Sequence, residues 1–430
     1  MLRQSLKARH IYLFLATIGA IIIFWALVPG GWSDRDATDY QAFYRPVARN
    51  VLAGRGLVTD RGEPAVRYPP GYPLILTGLF WLSDWTGTGE RYWVQGFTLL
   101  AMGLSCVFLY KIARRVVGER TGFLTGLLWA TYPLNLWLTK TPDSTIPFLL
   151  VFYGALLAFT RVLWGDRPKP WVSLAAGLLI GYASLARPIG ILTGVLLASL
   201  FLYLRWMDRS RHYVLLATIL LLLGNLAVVI PWEIWGYQHT AQWIPLSTGG
   251  LPSVRDGITC FTATKGYRRP LDVPAAMQAV VNEAITRQQE GKLDTPAELV
   301  AFLGDQLYRN PLGVLELVWT KAHRAWYGTD AQHREEWIAL FVQTVYLLLS
   351  LWGGWLLWRC RGTQREWLVL VAAVVLYFWG MTVLVLSIVR YMIPAMGLLF
   401  PSIALALEKA LTRFNKTALS FLSCDGSNSH

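Results

Sequence analysis

The sequence predicts an all-α polytopic membrane protein with about ten transmembrane helices, and three observations carry that prediction. The chain is 54% hydrophobic and only 15% charged, whereas a soluble domain carries about a quarter charged residues. Apolar runs of about 20 residues, long enough to span a bilayer, recur along the whole chain. Lys and Arg gather in alternate connections, the pattern that marks cytoplasmic loops. A mean hydropathy of +0.40 agrees.

The spans read, in order, as 10–29, 93–112, 120–138, 146–163, 171–186, 188–206, 213–231, 337–358, 367–388 and 392–409. The pair flanking Arg187 reads either as one long bent helix or as two short ones. The run 73–83 is too short to cross and is placed at the interface. The first run follows a basic start and exceeds a signal-peptide core, so it reads as a retained helix. The basic connections hold Arg3, Lys7 and Arg9; Lys111, Arg114, Arg115 and Arg120; Arg161, Arg167 and Lys169; Arg205, Arg209 and Arg211; Arg359, Arg361 and Arg365; and Lys409, Arg413 and Lys416. This side is read as cytoplasmic, with both termini on it. The expected location is the plasma (inner) membrane, with long loops outside.

Three parts follow. Residues 1–231 form a transmembrane module with an outer loop at 30–92, residues 232–336 an extracytoplasmic region, and residues 337–430 the C-terminal helices with a short cytoplasmic tail. The outer loop carries seven basic and seven acidic residues, which cancel, so the net charge of +13 is mostly the topology signal. Basic residues scattered among loops make no nucleic-acid footprint. Of the cysteines, Cys260 alone lies outside, so no exported pair exists for a disulfide. His323 and His333 flank Asp330, a combination common by chance, and no metal site is assigned. No internal repeat of the transporter kind is present.

Within the outer loop, Tyr40, Phe43, Tyr44, Val47 and Val51 recur at helical spacing, with Gln41, Arg45 and Arg49 opposite. Pro46 should kink or restart this amphipathic helix, and Gly54 offers a stop. Such a helix suits the membrane surface, aromatics down and arginines up. "VRYPPGYP" then makes a stiff bend. In the second outer region, Trp232, Trp235 and Trp243 suit an interfacial belt. The stretch from Thr295 to Gly328 looks helical in two pieces broken at Pro311.

Chemistry-bearing residues concentrate on the outer side. Asp34, Asp36 and Asp39 stand where the chain leaves its first span. Asp36 or Asp39 could cap the following helix or remove a proton from a hydroxyl attacking a sugar carbon, help worth about 10²–10⁴ in rate. Asp143 is a second acid candidate, either as a cap or at the site. A phosphate leaving group needs cations, and Arg67, Lys140, Arg187 and Arg390 stand at outer ends of spans. Arg binds phosphate bidentately, although each cation could instead snorkel to the interface. Tyr68 and Tyr391, beside two of these cations, are further substrate-binding candidates.

These residues resemble the GT-C glycosyltransferases, in particular the family-39, ArnT/PMT-like branch. That family opens its first outer loop with an acidic motif, then an amphipathic helix and a Pro-Pro segment. Here "DATDY" is followed by "ARNVLAGRGL" and "RYPPGYP", and later by "SLARP", "VIPWEIWGY", "RNPLGVL" and "RYMIP". The resemblance implies inverting transfer of a sugar from a polyprenyl-phosphate donor to a lipid, glycan or protein acceptor at the bilayer, with no nucleic acid involved. It makes Asp36 the catalytic base. Ala37 stands where the family has Glu, however, and Asp39 also precedes Tyr40, so the base is Asp36 or Asp39. Members differ in whether they need a divalent metal, and no cofactor is assigned. The alternatives are a transporter or flippase of lipid-linked glycans, or a polymerase or ligase of lipid-linked oligosaccharides. A transporter would bury ionisable groups mid-span, whereas here charges cluster at span ends.

Overall fold

A computed structural model describes residues 2–35, 37–165, 169–207, 210–259, 274–329, 336–360 and 362–424. Asp36, Arg167, Arg209, Cys260, Asp330, His333 and Arg361 therefore lie outside the described residues. The described chain is helical and contains no β-strand. Eight stretches among the described residues are long and apolar enough to cross a membrane, and the shorter apolar helix Pro170–Ala186 joins them.

Helix α1 (Leu2–Leu27) enters the bundle and is followed by the outer loop, which folds as α2 (Arg45–Leu52) and α3 (Gly71–Thr86). A π-helical turn, Tyr40–Tyr44, precedes α2. Pro46 sits in the first turn of α2, where its missing N–H costs nothing, so the helix restarts there. The apolar face of this segment does not lie in lipid. Tyr40, Phe43, Tyr44 and Val47 are buried against Tyr72, Leu76 and Phe80 of α3. The arginines opposite are paired: Arg45 with Glu90 at 2.8 Å, and Arg49 with Asp84 at 2.7 Å. Protein, not membrane surface, satisfies both faces.

Helices α4 (Glu90–Val117), α5 (Glu119–Ala130), α6 (Pro133–Leu138) and α7 (Thr145–Trp164) follow. The run read as one span over 120–138 is thus broken at Pro133, which cannot continue α5. The two pieces still traverse the bundle. Glu119 meets Arg9 near the start of α1 at 3.0 Å, and Lys140 Nζ donates to the Pro29 carbonyl beyond its end, also at 3.0 Å.

The segment around Arg187 resolves as two short helices, α8 (Pro170–Ala186) and α9 (Thr193–Arg205), joined at a 3₁₀ turn, Pro188–Gly190. Pro188 explains the break, because the residue before proline avoids helical angles; Arg187 is extended, with φ −152° and ψ 120°. Helix α10 (Arg211–Thr240) packs on α8 and runs through Pro231. Trp232, expected in an interfacial belt, is instead buried: its indole donates to the Leu246 carbonyl at 2.8 Å and stacks on Trp235. Trp243 is exposed.

The second outer region forms α11 (Gly250–Thr259), α12 (Ala275–Gln289), α13 (Pro296–Arg309) and α14 (Pro311–Arg324) around its own small core of Met277, Val280, Val281 and Phe302. The break at Pro311 is as expected, with Asn310 capping α14 and a Thr295–Glu298 capping box starting α13. Helices α15 (Glu336–Trp358), α16 (Thr363–Leu384), α17 (Ile393–Met396) and α18 (Phe400–Cys424) complete the bundle. Its core includes an aromatic cluster of Trp129, Tyr132, Tyr153, Phe148, Phe152, Phe378 and Phe400. At the end away from the outer helices, Arg205 holds Glu366 at 2.8 Å and the Leu163 carbonyl at 2.8 Å.

Candidate active site

A cavity of about 680 Å³ opens where the first outer loop, the segment leading into α7, the end of α8, the start of α11 and the segment after α16 converge. Two close backbone approaches shape it. A Cβ on Gly71 would lie 2.6 Å from the Leu185 carbonyl oxygen, so only glycine lets α3 settle on the corner that carries Arg187. A Cβ on Gly257 would lie 1.8 Å from the Val385 carbonyl oxygen, so α11 can rest on the chain leading to Arg390.

Asp143, Arg187 and Arg390 all line the cavity. Asp143 Oδ1 accepts from Arg187 Nη1 at 3.2 Å and from the Thr145 backbone N–H at 2.6 Å, and Oδ2 accepts from Arg390 Nη1 at 3.3 Å. Burial would raise the Asp143 pKa. The guanidiniums of Arg187 and Arg390 and the Thr145 bonds outweigh it and hold the carboxyl below its ordinary value. Tyr391 also lines the cavity, with the Arg187 and Arg390 guanidiniums 4.5 and 5.6 Å from its ring centre, within cation–π reach.

Asp39 lines the same cavity from the first outer loop. It makes no side-chain cap to the turn it precedes. Its Oδ1 instead accepts a hydrogen bond from the Tyr68 hydroxyl at 3.2 Å. Burial, then the Asp39 charge, push the Tyr68 phenol up to about 12, so it stays protonated and keeps donating. Arg67, also on the cavity, lies over the Tyr68 ring at 5.5 Å.

Of the described residues that the sequence nominated, Asp39, Asp143, Arg67, Tyr68, Arg187, Arg390 and Tyr391 come together here. Lys140 does not: its ammonium caps the chain leaving α1 through Pro29 and lies 5.2 Å from the Trp137 ring centre, outside the cavity lining. Sequence reasoning missed Asp256 and Arg324, which also line the cavity. Burial raises the Asp256 pKa, with Arg255 and Arg67 opposing. Arg324 pairs with buried Glu336 at the start of α15. Neither residue stands at the end of an apolar run, the signal that picked out the others. No cluster of three His, Cys, Asp or Glu side chains able to hold a metal occurs among the described residues. Both oxygens of Asp143 are occupied by guanidiniums.

Residues 68–235 match the family described as dolichyl-phosphate-mannose-protein mannosyltransferase. No curated protein matches the chain. The fold is similar to that of the Archaeoglobus fulgidus oligosaccharyltransferase with zinc and sulfate, with a TM-score of 0.56 and 12% identity over 98% of this chain and 51% of that one. It is similar also to oligosaccharyltransferase AglB from the same organism, solved with an inhibitory peptide and a dolichol-phosphate, with a TM-score of 0.53 and 14% identity over 99% of this chain and 52% of that one. The chain thus spans about half the length of these oligosaccharyltransferases. ArnT from Cupriavidus metallidurans bound to undecaprenyl phosphate aligns with a TM-score of 0.42 and 17% identity, over 93% of this chain and 77% of that one. Residues 68–235 thus match a mannosyltransferase family, and the fold of the chain is similar to that of the oligosaccharyltransferases.

Proposed function

We propose that the protein moves a sugar from a polyprenyl-phosphate donor to an acceptor hydroxyl at the outer face of the membrane, with inversion at the sugar carbon. One observation carries the reading: an acid of the first outer loop, Asp39, and the Arg187–Arg390 pair line the same cavity. A dolichol-phosphate bound in a protein of similar fold supports the same class of carrier here. In the reaction, a first-loop carboxylate takes the proton of the acceptor hydroxyl. The hydroxyl oxygen bonds to the sugar carbon as the bond from that carbon to the phosphate oxygen breaks. The electron pair leaves on the phosphate, where Arg187 and Arg390 offset the developing charge. The resemblance assigns the base to Asp36, and Asp39 is the alternative because its carboxylate lines the cavity. The acceptor is a lipid, glycan or protein hydroxyl, and the basic loops would face the cytoplasm.

The test supplies the purified protein with a labelled polyprenyl-phosphate sugar and measures release of free carrier phosphate. Asn at the true base should lower the rate by about 10²–10⁴ while the protein stays folded. Wild-type rates in both Asp36→Asn and Asp39→Asn would reject a first-loop base. Movement of the donor across liposomes without cleavage would reject transfer.

A further inference from the structure

Asp143 sits between two guanidiniums with each of its oxygens engaged. Its place is fixed from the protein side as well, by the backbone N–H and hydroxyl of Thr145 at the start of α7. Asp143 therefore places a built-in negative charge between two of the guanidiniums that line the cavity. We propose that Asp143 is a charge-balancing positioning residue: it offsets guanidinium charge, so that the cavity still holds a singly charged phosphodiester but grips the doubly charged phosphomonoester left after transfer less tightly than it would without the carboxylate. This inference rests on the donor reading above.

The argument is electrostatic. A donor in which phosphate links a sugar to a polyprenyl chain is a diester and carries one negative charge. Transfer removes the sugar and leaves a monoester, whose charge at neutral pH is about −1.5 to −2. Without the Asp143 charge the pocket would favour its own product over its substrate still more and stall after a turnover. The effect of a nearby fixed charge on binding scales with the charge of the ligand. Loss of the Asp143 charge therefore favours the dianion about twice as much, in free energy, as the monoanion. If donor affinity rises roughly threefold, carrier affinity rises roughly ninefold. A residue that merely held the two arginines in place would instead weaken both ligands when altered.

The experiment compares the full-length wild type with Asp143→Asn and Asp143→Glu. It measures the donor KM and the inhibition constant of polyprenyl phosphate from pH 5 to 8. In Asp143→Asn the inhibition constant should fall by about ninefold and the donor KM by about threefold. A burst of one turnover should precede a slower steady state. The excess gain for the carrier should grow as pH rises through the second phosphate ionisation near about 6. Asp143→Glu, which keeps the charge, should retain the wild-type ratio. A ratio unchanged in Asp143→Asn, both constants rising together, or the same ratio shift in Asp143→Glu would overturn the inference. Should Asp143→Asn not fold, the wild type alone decides: its inhibition constant should fall less than about threefold from pH 5 to 7.5, and a larger fall overturns the inference. A wild type that binds neither donor nor carrier would instead overturn the donor reading, and the inference with it.

Discussion

The Tyr68 hydroxyl donates a 3.2 Å hydrogen bond to Asp39 Oδ1, tying the Pro-Pro bend to the acid of the first outer loop. Two segments 29 residues apart in sequence thereby present one polar surface to the cavity. A hydrogen bond to a charged group contributes about 1.5–3 kcal/mol. Tyr68→Phe should lower kcat/KM by about ten- to a hundredfold. The ring still packs on Phe43 and Tyr44, so the variant should fold, with a melting temperature lowered by no more than a few degrees in a chain of this length. Steady-state kinetics with a parallel melting curve check this.

The acid side of the stability profile follows from Asp143. Its folded pKa is lowered, because Arg187, Arg390 and Thr145 outweigh burial. A depressed carboxyl stabilises the fold above its unfolded value of about 3.9, and that contribution is lost as pH falls through the lower folded value. The difference in melting temperature between wild type and Asp143→Asn should therefore stay constant from pH 5 to 8 and shrink only below about pH 4. A thermal series across that range measures it.

Lys140 and Arg390 were equivalent candidates in sequence and are not equivalent in space. Arg390 reaches the cavity and Asp143, whereas Lys140 binds the Pro29 carbonyl. Lys140→Gln should leave donor KM and kcat within about twofold of wild type. Arg390→Lys should raise donor KM by about tenfold or more, since an ammonium cannot offer the planar two-pronged donor of a guanidinium. Donor titrations of the two variants decide.

Much of the architecture was legible because lipid imposes one rule, long apolar runs with charges at their ends, and linear sequence displays that rule directly. Where it failed, a local or tertiary cause is identifiable. Pro133 divides a run whose apolarity looks continuous. Trp232 resembles a belt residue until the Leu246 carbonyl is folded back onto it. The aromatic face of the Tyr40–Tyr44 turn that leads into α2 reads as lipid-seeking because the sequence does not reveal that α3 returns to cover it. At the candidate site, Arg187 and Arg390 stood out as cations bordering apolar runs. Asp256 and Arg324 belong to a polar outer region, where a charged residue carries no such signal, and tertiary contacts bring that region to the cavity: α11 through Gly257, and the end of α14 through Lys321 and Gly328.

The reversal at Arg187 has a consequence for how deep a headgroup must travel. Helix α8 has 17 residues, about 25 Å of rise, less than the roughly 30 Å of a bilayer's hydrocarbon interior. With the start of α8 at the far edge of that interior, a guanidinium mounted on so short a stalk would sit below the aqueous boundary. On the donor reading proposed above, an isoprenoid carrier would then dock without being hoisted out of its leaflet, with the positive charge lowered to the lipid and the hydrophobic tail kept from water.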